Sequence, residues 1–207
     1  SLMPAWAHSR MAEFGLLDGV GFAEPNPRPM FPNPPGLLRV APHSAGLRER
    51  IWWGAATNAT AEWAASLGMN MMTSTLKFDE SGQPLHIQQT EQINAFHAAW
   101  RAAGHDREPR TSVSRSIFPL TDDRDRAYFG RSQDTDQIGY IDETTRAVFG
   151  RTYAAEPDVL VGQLAADTAI AAADTLLLTI PNQLGVDYNA HVIENVLRHV
   201  APELGWR

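Results

Sequence analysis

The chain has 207 residues, no cysteine, 43% apolar and 20% charged residues, and a formal net charge of −7. This length supports one domain or two small ones with a core that needs no disulfide, and the missing cysteines exclude thiolate metal sites, redox dithiols and cysteine nucleophiles. Twenty-four acidic against seventeen basic residues argue against nucleic acid or an anionic membrane surface as partner, and no uninterrupted apolar run is long enough to span a bilayer. The N-terminus has no charged, apolar, small-residue leader pattern, so a cytoplasmic location is expected.

Residues 1–49 read as a short helix followed by a proline-rich extension. Ala7 to Leu17 is helix-compatible, with Met11, Phe14 and Leu17 at three-residue spacing, and seven prolines between Pro25 and Pro42 exclude an interior strand or helix there. From residue 50 the pattern changes to strands alternating with helices. Arg50 to Ala55 is a short apolar strand, and a helix follows from Thr60 to Leu67 with Gly68 as its stop. Met69 to Ser74 is the second strand. The helix Ile87 to Ala103 carries Ile93, Phe96, Trp100 and Ala103 at the spacing of one buried face. Thr111 to Phe118 is the third strand, and the polar stretch from Thr121 to Tyr153 reads as surface loop or as a cover over a site. A helix at Val159 to Ala172, a fourth strand at Thr175 to Ile180 and a last helix at Asn189 to Val200, with Ala190, Ile193, Leu197 and Val200 on one face, complete the chain. Four strands each followed by a helix predict parallel βα units, with the apolar strands covered on both faces.

Several groups in this frame have chemistry to offer. The turn from Gly54 through Ala55, Ala56, Thr57 and Asn58 to Thr60 joins a strand to a helix N-terminus, where free backbone amides and the helix dipole suit a phosphate; ordinary capping by Asn58 or Thr60 is the competing reading. The turn has neither GxGxxG nor a Walker motif. Arg115 lies inside the third strand, where a cation must face an anion or pair with an acid. Ser112, Ser114 and Ser116 share the other face of that strand without a nucleophile elbow. His86 falls near the carboxyl end of the second strand, where barrel active sites gather, with an ordinary loop histidine as the competing reading. His191 with Glu194 is the one two-residue ligand set considered, and no metal is expected because no helical clamp spacing or HExxH occurs. Asn182 and Gln183, after the last strand, either contact a ligand edge or cap a turn.

The stretch IWWGAATNATAEWAASLGMN, Ile51 to Asn70, resembles the strand, phosphate-contacting turn and helix of bacterial luciferase and the luciferase-like monooxygenases. The likeness continues through the Ala-Gly-His at 103–105, the strand Arg110 to Phe118, the segment Glu156 to Gln163 and the terminal Val-Ala-Pro-Glu-Leu at 200–204. It implies an α/β fold, a partial (β/α)8 TIM barrel made of the four C-terminal βα units over residues 50–207. It implies reduced FMN, or alternatively a deazaflavin, with O2 and a small organic substrate. Flavin-phosphate contacts carried over by position fall on Ala56, Thr57 and Thr60, while Gly54-Ala55 departs from luciferase, which has an acidic and a hydroxyl residue there. No catalytic residue is named, because the family's catalytic histidine lies on strands without a counterpart here. A half barrel leaves open sheet edges, so a homo-oligomer or a missing N-terminal half is expected. The alternative is a non-catalytic flavin-binding or dimerising half-barrel module.

Overall fold

The computed structural model describes residues 45–78, 81–132 and 135–206. The helix and proline-rich segment read between Ala7 and Pro42 lie outside the described residues. The boundary placed at residue 50 falls at the end of a one-turn helix α1 (Leu47–Arg50) that leads directly into the first strand.

Four parallel strands occur where the apolar runs place them: β1 (Trp52–Ala55), β2 (Asn70–Thr73), β4 (Thr111–Pro119) and β8 (Thr175–Leu178). They are neighbours in chain order, with Trp53 opposite Met71, Met72 opposite Ser112, and Arg115 opposite Leu178. Helix α2 (Asn58–Ser66) follows β1, and α3 (Leu85–Ala103) follows β2. Gly68, at φ 72°, occupies the left-handed position after α2 that a residue with a Cβ rarely adopts.

The main core is built on one face of this sheet. Ala55, Met71 and Val113 project into a buried cluster with Ala61 and Ala65 of α2 and Ile93, Phe96 and Trp100 of α3. Thus the stripe predicted on α3 is buried as far as Trp100, whereas Ala103 is exposed where the helix runs out. A second cluster joins Ile117 to Leu160 and Leu164 of α5 (Pro157–Ala165) and to Val196 and Val200 near the C-terminus.

The other face departs from the expectation of two covered faces. Gly54 is exposed, Leu177 is 38% exposed, and Trp52, Met72, Ser114 and Ser116 are half-buried. The reason is legible in β4, which presents Val113 and Ile117 to the helices and small serines to the opposite side.

The polar stretch after β4 is not a bare loop. Helix α4 (Asp123–Phe129) opens it with a capping box between Asp122 and Asp125. The strands β5 (Gln137–Tyr140) and β6 (Arg146–Phe149) then form a hairpin that adds to β3 (Leu76–Phe78) in an antiparallel sheet of order β3-β6-β5. The hairpin turn is set by Asp142, whose carboxylate accepts from the amides of Thr144 and Thr145. Strand β7 (Thr152–Ala155) then pairs parallel with the second half of β4, Ser116 opposite Thr152.

The helix expected from Val159 to Ala172 is two helices. It breaks at Asp167, whose carboxylate accepts from the amides of Ala169 and Ile170 and so starts α6 (Thr168–Ala172) afresh. The last helix, α7 (Gly185–Asn195), starts earlier than expected and runs into a π-turn at Val196–Val200.

Candidate functional site

A cavity of about 410 Å³ opens beside the middle of β4. The pairing of β4 with β2 is at Thr111 and Ser112, and its pairing with β7 begins at Ser116. Between these, Ser114 and Arg115 line the cavity floor with Tyr153 and Asp167. The antiparallel sheet forms another wall through Ile138, Arg146 and Val148, and the entry to α3 closes it with Pro84, Leu85 and His86. Four residues singled out from sequence, His86, Ser114, Arg115 and Ser116, therefore meet here. Sequence reading missed Tyr153, Asp167, Arg146 and Arg151, which come from segments remote in the chain.

The charged groups of the floor are tied to one another. Arg115 is 4% exposed and donates through Nε and a terminal nitrogen to the two oxygens of Asp167 at 2.7 and 3.0 Å. Its other terminal nitrogen donates to the Ser114 carbonyl at 2.8 Å. Of the two readings of Arg115, facing an anion such as a flavin phosphate or pairing with an acid, the structure shows the pairing, which corrects its place among the flavin contacts: its fork is engaged by a buried carboxylate. The Tyr153 hydroxyl donates to the same carboxylate at 2.6 Å. Burial by itself would raise the Asp167 pKa, yet Arg115, Tyr153 and the amide of Ile170 together hold it below the ordinary carboxylate value. Burial, and then the bond to Asp167, raise the Tyr153 phenol, so it remains a neutral donor.

The rim is differently arranged. Asp136 accepts from the backbone amides of Leu85 at 2.6 Å and Arg151 at 3.0 Å, which fixes the hairpin to the start of α3. The Arg151 guanidinium lies over the Tyr153 ring, 4.3 Å from its centroid. The His86 ring Nδ1 is 3.1 Å from the Thr168 hydroxyl, which also meets the Thr90 hydroxyl at 2.8 Å.

The turn from Gly54 to Thr60 is a separate place. None of its residues lines the cavity. Thr57 is the N-cap of α2, its hydroxyl accepting from the amide of Thr60 at 3.2 Å, and the two threonine hydroxyls are bonded to each other. The cap is thus Thr57 rather than Asn58 or Thr60. Ala55 is 2% exposed, and its carbonyl, like that of Thr57, accepts from the buried Gln92 amide. The Ala56 carbonyl accepts from Phe78. Gly54 is open: a Cβ placed there would meet nothing within 4 Å. Helix α2 begins at this turn with Thr57, Asn58 and Thr60 half-buried, and a helix N-terminus favours negative charge.

A second polar cluster joins α4 to α7. Asp125, 1% exposed, accepts from Tyr188 at 2.7 Å, from the Thr121 hydroxyl at 2.8 Å and amide at 2.9 Å, and lies 3.0 Å from His191 Nε2. Burial alone would raise its pKa, but the bonds from Tyr188, Thr121 and His191 bring it to about 2. Burial and then Asp125 push the Tyr188 phenol up. Asp122, Asp125 and His191 are close enough to share a cation, yet hydrogen bonds already engage the central carboxylate. Glu194, considered as the companion of His191, instead pairs with Arg198 at 2.5 Å. Asn182 and Gln183 form an exposed 3₁₀ turn away from the β4 cavity, and Ser112 is buried beneath the sheet surface.

No protein-family model and no curated protein matches the chain. Among solved structures, the chain is similar to the crystal structure of the monooxygenase RslO1 from Streptomyces bottropensis, with a TM-score of 0.58 and 15% sequence identity. The match covers 96% of this chain and 60% of that one, so this chain spans well under two thirds of its neighbour's length. At this identity the likeness is one of fold. The fold is α/β with a parallel sheet, and among the described residues no helix is long and apolar enough to cross a membrane.

Proposed function

We propose that the chain is part of a luciferase-like, flavin-dependent monooxygenase, its parallel βα units forming the C-terminal half of a (β/α)8 barrel. The observation that carries this reading is the cavity beside the middle of β4, in a parallel sheet whose fold is similar to that of a monooxygenase. Reduced FMN, or a deazaflavin, would supply the O2 chemistry when bound, and a small organic molecule would be the substrate. The protein's own part is to bind, orient and exclude water. For the flavin phosphate the fitting residues are Gly54, Thr57, Asn58 and Thr60 at the start of α2, where Gly54 leaves room for close approach and the helix dipole favours an anion. Ala55 and Ala56 contribute backbone shape only, since their carbonyls are engaged inward. Arg115 has no part in this contact and instead fixes the cavity floor through Asp167. The test is a titration of the chain with reduced FMN. Replacing Thr60 by Val should weaken binding by about 1 kcal/mol if its hydroxyl donates to phosphate, and unchanged affinity removes that residue from the site.

A second reading, a dimerising half-barrel module, is favoured by one surface. The outer side of α7 and of the π-turn after it carries Val186, Ala190 and Leu197 in solvent beside a half-buried Ile193, with Val186 84% and Leu197 63% exposed. Ala190, Ile193, Leu197, Glu194 and Arg198 line a shallow groove there. The occupant we assign is a second copy of the chain. Glu194 and Arg198 lie one turn apart beside this face, so an antiparallel pair that crosses between them sets the Glu194 of each copy against the Arg198 of the other. Sedimentation of the full chain should show a dimer that Leu197→Glu dissociates; a monomer at all concentrations excludes this reading.

A further inference from the structure

Three short contacts beside the β4 cavity determine which nitrogen of His86 carries a proton. The Thr90 hydroxyl donates to the His86 carbonyl at 2.7 Å and meets the Thr168 hydroxyl at 2.8 Å, and Thr168 in turn lies 3.1 Å from His86 Nδ1. Each contact needs one proton, and the two hydroxyls hold only two between them. A longer contact of 3.4 Å from Thr168 to the same carbonyl adds to that demand. The missing proton can come only from the imidazole, so Nδ1 is an N–H that donates to Thr168. A neutral ring protonated on Nδ1 keeps its lone pair on Nε2. That nitrogen has no partner among the described residues, and His86 lines the cavity.

The ionic groups of the lining give a charged occupant nothing to pair with. Arg115 and Asp167 neutralise each other, and Arg146 and Arg151 have partners of their own. Asp136, held by two backbone amides, keeps its negative charge in the same wall. An anion therefore meets Asp136 and a cation meets the arginines, and either would give up its water without gaining a free counter-charge. The remaining wall, with Pro84, Leu85, Ile138 and Val148, suits an apolar body, and a volume of about 410 Å³ suits a molecule of small-ligand size.

We propose that the cavity takes a neutral, largely apolar molecule carrying a hydroxyl group, that His86 Nε2 accepts the O–H of that group, and that Thr168 is the positioning residue that fixes the tautomer of the ring. The inference rests on the monooxygenase reading only in calling the occupant a substrate; the acceptor follows from the hydrogen bonds around His86.

Two measurements on the full chain at about pH 8, where an ordinary imidazole is neutral, test the proposal. In nitrogen-15-labelled protein, proton–nitrogen correlation across two bonds should show the His86 ring, assigned by its loss in His86→Phe, with its proton on Nδ1. Thr168→Val should abolish that preference. A proton on Nε2 in the parent overturns the proposal, and a preference that survives Thr168→Val removes Thr168 from the positioning role. Calorimetric titration with 2-naphthol and 2-methoxynaphthalene, which differ in the O–H, should favour the naphthol about tenfold, and 2-naphthoate should bind more weakly than the naphthol. His86→Phe should bind the two neutral probes alike. Equal affinities in the parent, binding of neither, a preference that His86→Phe retains, or tighter binding of the naphthoate each overturn the proposal. A naphthol preference in a chain that ignores FMN contradicts the flavin reading alone, and FMN binding in a chain that does not tell the naphthol from its ether contradicts this inference alone.

Discussion

Replacing Arg115 by Leu separates the two roles open to an arginine inside a strand. In the structure, Arg115 is 4% exposed and the Asp167 side chain is fully buried, with two hydrogen bonds between them at 2.7 and 3.0 Å. The substitution removes the cation and leaves Asp167 with the Tyr153 hydroxyl and two backbone amides. An uncompensated buried carboxylate of this kind costs about 3–5 kcal/mol. For a chain of this size that lowers the melting temperature by roughly 10 °C. Asp167→Asn should cost a similar amount, because it leaves Arg115 buried without its counter-charge. The double variant Arg115→Leu with Asp167→Asn should lose less than the sum of the two, since no lone charge remains. Urea denaturation of the four proteins, followed by far-UV circular dichroism, gives the cycle. A loss below about 1 kcal/mol for Arg115→Leu, the value of an exposed ion pair, would refute the structural role and return Arg115 to the anion-contacting one.

Acid stability reports on the second polar cluster. Asp125 titrates at about 2 in the folded chain against an ordinary 3.8, so its depressed pKa contributes about 2 kcal/mol above pH ~4, lost as pH falls toward 2. Asp125→Asn should therefore be less stable than the parent at pH 6, with the gap closing between pH 4 and pH 2; a gap independent of pH contradicts the assignment. Gly68→Ala should cost about 1–2 kcal/mol, because φ is 72° and the new Cβ would sit 3.1 Å from the His105 ring. Unfolding curves that superimpose on the parent's would contradict the left-handed geometry.

The parallel core was readable because its signals are local. Apolar strands followed by glycine stops at Gly68 and Gly104 mark β1, β2 and their helices, and the Ile93-Phe96-Trp100 stripe marks the buried face of α3. The antiparallel sheet was not, because β3, β5 and β6 are three or four residues long and their pairing joins segments about seventy residues apart, as Leu76 with Phe149. The turn at Asp142, with threonines two and three residues on, was its one local signal. On α7 an apolar stripe was visible but its direction was not. Tyr188, Val192 and Val196 face the protein, and the π-turn brings Val200 back to the core while leaving Ala190 and Leu197 outside. The cavity escaped prediction for the same reason as the Arg115 partner: Asp167 lies 52 residues away, and only the folded sheet brings them together. The places of His86 and of the β4 serines could be read because strand ends and alternation are sequence properties, and these residues line the cavity.

Equilibrium binding of reduced FMN, followed under anaerobic conditions, tests the proposed function most directly. The account predicts saturable binding that riboflavin, lacking the phosphate, does not match and that Thr60→Val weakens. No saturable binding at millimolar FMN would contradict it.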